Sequence, residues 1–518
     1  MKKTICLFIF FVCLAAFGPA LKDSACAGVD LNKLVVETAS ITSFKGSWHE
    51  IGKQIGKTYP EYIIDFGNTM KIVLIFAGPG HGWTPQTYYE EIKDTIPQSI
   101  QDHMEGMAEG LAEVRPMSPG TAWDLVLTQN MAIELINMNS NMSDIPSPAA
   151  EKVRGCTALA VSSPAGTFLC HNTDANVSGD NINVIMYWEP TDSGDYACIT
   201  IDPPGWADVS MGMNEKGIGV TLNAGGAHEE ARIGMPVNFM LRSVIEHAAT
   251  LEEAVGAFTG YVESGKFFGP SGEILQIMDL NTGAMAKLEV HSTFVNVIDA
   301  AASPYGVNYI ASTNHWIGEN VDESSSSFMR YSRLLELVNQ TKTFDLNACW
   351  NVLSDTSGSK ASNTTISRVG QENSVATNYG VIFTADGLYY TMGPPHAYRA
   401  TFGDPPFVSF SRLANSPVAS FIALPGSRRI TLSWESAPGA DITGLYLHRA
   451  DWQAGTYDII NTAPLQPADR QFEDTGLKNK NRYYYKLEVR YGDGTSTMYG
   501  PINATPKLRY AFVPAGKQ

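Results

Sequence analysis

The sequence predicts an α+β fold followed by a smaller all-β unit, and three observations carry that reading. Residues 28–150 place apolar side chains mostly at helical spacing. From Val153 to about Pro395, strands come in runs and helices come in a block between them, without regular strand–helix alternation. Beyond about Pro405, short alternating strands recur with turn residues between them and no helical pattern.

The composition agrees with a large folded protein. Of 518 residues, 44% are apolar and 17% charged, which supplies a sizeable core and excludes a mainly disordered chain. Lys plus Arg number 36 and Asp plus Glu 53, a net charge of −17. Phosphate backbones and anionic lipid headgroups repel such a chain, so neither nucleic acid nor a polybasic membrane anchor is expected.

The N-terminus reads as an address. Lys2 and Lys3 precede an apolar run from Ile5 to Phe17, and Ala25-Cys26-Ala27 forms a small-x-small site. This predicts a secretory signal at 1–27, a secreted or periplasmic mature protein, and no membrane insertion after the signal is removed. Cys6, Cys13 and Cys26 would leave with it, and Cys156, Cys170, Cys198 and Cys349 would remain. Four cysteines do not make a disulfide scaffold, although a Cys170–Cys198 bridge between neighbouring strands stays open. Neither CxxC nor HExxH occurs, so no metal is expected.

Two long helical stretches, 47–76 and 88–114, flank a Gly/Pro loop carrying His81 and Trp83. Strands follow: "CTALAVSS" and "TFLCHNTDAN" around Pro164-Ala165-Gly166, then "YACITIDPP", "VSMGMN" and "GIGVTLNAG". "LQIMDLNTGAMAKLEV" contains a hairpin at Asn281-Thr282-Gly283. Helices are expected at 236–248, 251–258, 326–338 and 346–353, and "SVATNYGVIFTA" and "GLYYTMG" close the part.

The informative residues are Arg154-Gly155-Cys156-Thr157. Counting back across the turn puts Cys156 opposite Thr173, give or take one residue, with His171, Asn172 and Asp174 beside it. A buried strand cysteine is one reading of such a thiol, and a reactive one is the other.

"RGCTALAV…HNTDAN" resembles the start of the catalytic chain in the acyl-coenzyme A:6-aminopenicillanic acid acyltransferase family, N-terminal-nucleophile enzymes related to choloylglycine hydrolases. "KGSWHEIGKQIG", with Gly46, Glu50, Gly52 and Gly56, is similar to the family's glycine-spaced N-terminal pattern. "GMNEKGIGVTLNAGG" and "STNHW" are similar to two further family elements. The resemblance spans about 43–395. It implies a four-layer αββα sandwich that cuts itself at Gly155–Cys156. It also implies a helical segment at 28–155 and a catalytic chain at 156–405.

The chemistry fits the residue types. A new N-terminal Cys156 would carry its nucleophile and its base on one residue, since an α-amine has a reference pKa of about 7.7–8.0. The resemblance implies that Asp174 accepts a hydrogen bond from the Cys156 amine. It implies that Asn223 gives an N–H to the oxyanion and that Asn314 does the same or holds the amine. Arg330 or Arg333, after the serine run, would serve the substrate, as would Asn172. Asn172 stands where choloylglycine hydrolases have an arginine, which argues against a bile-acid substrate. The expected reaction is hydrolysis or transfer of a small-molecule acyl amide, without a cofactor. A phospholipase-B-like or lipid amidase on the same fold is the first alternative, because those relatives share the "HNT" strand. A binding protein that has kept the scaffold is the second.

Residues 415–508 resemble a fibronectin type III module, through Trp434, Tyr446, Leu477, Tyr483 and Tyr485. Such a module would act as a spacer or dock another protein or surface.

Overall fold

The computed structural model describes residues 40–77, 82–141, 154–176, 183–227, 232–317, 322–358, 364–368, 375–411, 418–436, 442–452 and 455–506. The expected signal at 1–27 and His81 lie outside them.

The chain opens with strand β1 (Ser40–Gly46), then helices α1 (Trp48–Thr58), α2 (Pro60–Ala77), α3 (Pro85–Ile92), α4 (Gln98–Val114) and α5 (Pro119–Asn141). Strands β2 (Arg154–Ser163), β3 (Gly166–Asn176), β4 (Val184–Pro190), β5 (Cys198–Asp202), β6 (Met211–Asn214) and β7 (Ile218–Ala227) follow. Next come α6 (Val237–His247) and α7 (Leu251–Glu263). Then come β8 (Ser271–Asp279), β9 (Met285–Val290), β10 (Val295–Asp299), β11 (Ala301–Ala302) and β12 (Asn308–Ser312). Helices α8 (Ser326–Gln340) and α9 (Leu346–Leu353) lead to β13 (Val375–Thr384), β14 (Gly387–Met392), α10 (Pro395–Phe402) and β15 (Phe407–Ser409).

Prolines divide the long helical stretches of the sequence. Pro60 begins α2 directly after α1, and Pro97 caps the start of α4. The expectation of a mostly helical 28–150 misses β1, which pairs parallel with β4 from Ser40↔Val184 to Gly46↔Pro190. Strands β4, β10, β11, β12 and β15 and helix α10 also escape the sequence reading.

The glycine-spaced pattern of α1 is structural. Gly46 sits at φ 137°, a conformation that favours glycine. The Ser47 hydroxyl accepts from the Glu50 N–H while Oε2 of Glu50 accepts from the Ser47 N–H, a reciprocal cap that starts α1. Gly52 and Gly56 then meet Gly106 and Gly110 of α4. A Cβ on Gly52 would stand 2.0 Å from the His103 carbonyl oxygen, and one on Gly106 would stand 2.0 Å from that of His49. The two backbones touch, and only glycine allows it.

Three apolar layers organise this part of the protein. Val184, Met186 and Trp188 of β4 face helices α1–α7, while Ile185 and Tyr187 face the other way. The first layer therefore lies between helices and one large sheet, ordered β10-β9-β8-β7-β6-β5-β4-β1. The second lies between that sheet and a seven-stranded one, ordered β11-β12-β2-β3-β13-β14-β15. The third joins Leu159, Val161 and Cys170 of the second sheet to Leu334, Val338, Cys349 and Leu353 of α8 and α9. The fold is thus mixed α+β built on two large sheets. Because β15 pairs with β14, the second sheet runs past the expected domain end at 405.

These layers exclude the Cys170–Cys198 bridge. Cys170 faces α8 and α9 from the second sheet, and Cys198 faces the helices on the far side of the first. Cys156, Cys170, Cys198 and Cys349 are free thiols.

The C-terminal part continues with β16 (Val418–Gly426), β17 (Arg429–Ser436), β18 (Ile442–Ala450), β19 (Asp458–Ile459), β20 (Gln471–Thr475), β21 (Tyr483–Tyr491) and β22 (Ser496–Ala504). Strands β16, β17 and β20 form one sheet, and β22, β21, β18 and β19 continue the first large sheet beyond β1, over a core that includes Trp434, Leu477, Tyr483 and Tyr485. Tyr446, another residue of the resemblance, is half-buried with Arg490 3.9 Å over its ring. The pair Ile41↔Gly500 joins β22 to β1. Among the described residues, no helix is long and apolar enough to cross a membrane.

Candidate active site

The hairpin of β2 and β3 pairs Cys156 with Thr173, the register that counting across the turn predicts. Side chains alternate along a strand, so Cys156 and Thr173 share a face and Asp174 lies on the other. The Thr173 hydroxyl is 3.1 Å from Nδ1 of His171, whose Nε2 lies 3.0 Å from the Leu222 carbonyl and 3.1 Å from Oδ1 of Asn223. With two acceptors at Nε2, the hydrogen sits there, and Nδ1 accepts from Thr173. Leu222 and Asn223 belong to β7, so Cys156 faces the space between the sheets.

The backbone around Cys156 is held from the turn after β12 and from α8. The Cys156 N–H donates to Oδ1 of Asn314 at 2.8 Å. Arg330, buried on α8, donates through Nη1 to the Cys156 carbonyl and to Oγ1 of Thr157 (2.9 Å), and through Nη2 to Oδ1 of Asn314 (2.8 Å). Asn314 is itself fixed: Nδ2 donates to the Ala224 carbonyl at 2.9 Å, and its N–H donates to Oγ of Ser327 at 2.8 Å.

Asp174 is buried among positive and polar partners. Oδ1 accepts from the Thr377 hydroxyl at 2.7 Å, and Oδ2 is 3.2 Å from Nε of Arg368. Arg368 also donates through Nη2 to Oγ of Ser326 at 2.6 Å and through its backbone N–H to Oγ1 of Thr377 at 2.9 Å. Burial raises the Asp174 carboxyl above its ordinary range, with Arg368 and then Arg330 pulling the other way. The Cys156 thiol is pushed up to about 12, first by burial and then by the Asp174 charge. The Asp174 backbone hydrogen bond, Arg330 and Arg368 oppose that push. In the uncut chain this sulfur is therefore a neutral thiol, half-buried rather than sealed.

The expected site residues do not all converge on Cys156. The acceptor of the Cys156 nitrogen is Asn314, while the Asp174 carboxylate accepts from Thr377 and forms an ion pair with Arg368. Asn223 commits one amide N–H to the Thr313 carbonyl at 3.0 Å and its oxygen to His171. Asn172 does not line the cleft: it is fully buried on the opposite face, donating to the Leu353 and Ile366 carbonyls at 2.9 and 3.1 Å. Of the two arginines, Arg330 reaches Cys156. Arg333 turns away to Asp355 and Glu336 at 2.8 and 2.9 Å. Trp83 packs edge-on against Tyr88 under the helices.

Arg368 and Thr377 escape the sequence reading. Nothing near Arg368 marks it, and Thr377 comes opposite Asp174 only through the β3–β13 pairing. Among the described residues no three His, Cys, Asp or Glu side chains cluster to hold a metal.

Residues 161–377 match the family described as acyl-coenzyme A:6-aminopenicillanic acid acyl-transferase, a stretch that begins after Cys156 and includes Asp174, Asn223, Asn314, Arg330 and Arg368. The match covers less than half of the chain and supports an enzyme of the amide-hydrolase and acyltransferase kind. Among solved structures, the chain is similar to the Caenorhabditis elegans N-acylethanolamine-hydrolyzing acid amidase ortholog: 18% identity, 44% of this chain and 93% of that one, TM-score 0.31. A mutant of conjugated bile acid hydrolase from Clostridium perfringens aligns at 15% identity over 50% of this chain and 93% of that one, with TM-score 0.31. No curated protein matches the sequence.

Proposed function

We propose that the chain is an exported, self-processing enzyme that cleaves an N-acyl amide through a thioester on Cys156, on a four-layer N-terminal-nucleophile scaffold. The observation that carries the reading is the hydrogen bond from the Cys156 N–H to Oδ1 of Asn314, with Arg330 bridging Asn314 and the Cys156 carbonyl. That nitrogen becomes the α-amine on scission, and its acceptor is already in place.

Maturation starts from the neutral thiol. Sγ attacks the Gly155 carbonyl carbon, the Gly155–Cys156 C–N bond breaks, and the departing nitrogen takes the thiol proton. Water then hydrolyses the Gly155 thioester, leaving a Gly155 carboxylate, a free thiol and a free amine. In the mature enzyme the amine, with a reference pKa of about 7.7–8.0, accepts the thiol proton as sulfur attacks the substrate carbonyl. The same nitrogen returns the proton to the leaving amine. Water, or an acceptor amine, then releases the acyl group. The remaining N–H of Asn223 serves the oxyanion. The Asp174–Arg368 pair holds the strand behind the thiol. Export without an evident acyl-acceptor supply favours water and therefore hydrolysis. The helical segment 28–155 stays bound after the cut, and residues 415–508 form a fibronectin type III-like module.

The test is product analysis with purified wild type and Cys156→Ser on N-acyl amino acids, lactams and lysolipids. Amide cleavage by the wild type alone supports the reading. Equal activity in Cys156→Ser, or cleavage of lysolipid esters only, contradicts it.

A further inference from the structure

The turn that carries Asn314 is anchored from a third side, by β9. Alternation along β9 places Ala286 and Leu288 against the helices and Met285 between the sheets, so Lys287 and Glu289 share the inter-sheet face with Met285. Both are only 2% exposed. Oε1 of Glu289 accepts from the Ile317 N–H at 2.7 Å and from Nζ of Lys287 at 2.8 Å, and Oε2 accepts from Nδ2 of Asn296 at 3.1 Å.

A buried ion pair is a poor device for stability alone, because packed apolar residues of similar volume are commonly as good or better. This one has a specific use for its carboxylate. Ile317 is three residues beyond Asn314, and Glu289 fixes the far end of that turn. The near end is fixed by Thr313, whose hydroxyl donates to the Ser327 carbonyl at 3.0 Å, and by the Asn314 N–H on Oγ of Ser327.

We propose that Lys287 and Glu289 are positioning residues for Asn314: Glu289 pins the Ile317 N–H so that Oδ1 of Asn314 stays within reach of the Cys156 nitrogen, and Lys287 supplies the counter-charge that lets a carboxylate sit there. The inference rests on the proposed role of Cys156. Neither side chain of the pair is placed on the reacting atoms.

Two charge-free double variants separate positioning from mere packing. Lys287→Met with Glu289→Gln keeps an acceptor for the Ile317 N–H and leaves no ammonium unpaired. Lys287→Met with Glu289→Met fills the same space without an acceptor. On the N-acyl amide that the wild type cleaves best, the Gln variant should keep kcat within about fivefold. The Met variant should lose about 30-fold or more in kcat, with KM within about twofold, since a displacement of about 1 Å at the reacting nitrogen costs rate rather than binding. Equal kcat in the two variants, whether both fast or both slow, overturns the proposal. So does a loss that falls on KM. Cys156→Ser measured alongside keeps the two readings apart. If it stays active, the Cys156 assignment has failed; if it is dead while the Met variant is fast, only the positioning role has.

Discussion

The guanidinium of Arg368 lies against Gly155: a Cβ built on that glycine would stand 2.5 Å from Nη1 and 2.8 Å from Cζ. The residue before Cys156 can carry no side chain unless Arg368 moves, and Arg368 is tied to Ser326 and Asp174. Gly155→Ala should therefore shift Arg368 and slow appearance of the cut chains by about 10- to 100-fold. A gel time course after cell-free synthesis reads this directly. Cleavage at the wild-type rate would mean that the contact has no part in maturation.

Arg330 and Arg333 make a matched pair for comparison on one helix. Arg330→Met removes the donors to the Cys156 carbonyl and to Asn314, and should reduce amide cleavage about 100-fold. Arg333→Met removes ion pairs to Asp355 and to exposed Glu336. Neither of these partners touches Cys156 or Asn314, so activity should change less than about twofold. Steady-state kinetics on both variants test the assignment, and a reversed order would refute it.

The α1–α4 crossing should be intolerant of even one methyl group. Gly52→Ala forces a carbon to within 2.0 Å of a backbone oxygen unless the helices separate. Overpacking of this kind costs about 3 kcal/mol. Urea denaturation of the full chain should show a lower midpoint with an unchanged slope. An unchanged midpoint would mean that the helices part freely.

His171 gives the fold a pH dependence whose sign is set by burial. Burial holds its pKa down at about 4, against 6.5 for an unperturbed imidazole, while the Leu222 and Asn223 contacts pull it up. The unfolded chain takes up the proton first as pH falls. The contribution of His171 is thus full above about pH 6.5 and is lost as pH falls toward 4, by about 3 kcal/mol at most. Urea midpoints at pH 7 and 4.5 should differ less for His171→Gln than for the wild type. An equal difference in both would show that His171 is not the group responsible.

The hairpin register was legible because an antiparallel turn makes pairing a matter of counting. Once Pro164-Ala165-Gly166 marks the turn, Cys156 must come near Thr173. Helix α9 was legible for a similar local reason: Asp345 caps it through the Ala348 N–H, and its apolar residues fall at helical spacing. Asn172 shows a signal present but unused. Strand alternation puts it on the face opposite Thr173, and so opposite Cys156, whatever a resemblance implies. Arg368, Thr377 and β1 were not legible, because each takes its meaning from a partner far along the chain. The Asp174–Thr377 contact spans 203 residues, and β1 has too few residues to stand out before β4 pairs with it.

Intact mass and N-terminal sequencing of the mature protein address the chemistry of Cys156 most directly. Two associated chains, one of them beginning Cys-Thr-Ala-Leu, are the expected result, with Cys156→Ser delaying the cut. A single uncut chain that still hydrolyses amides at full rate would show that the Cys156 nitrogen is never freed and that the proposed base does not exist.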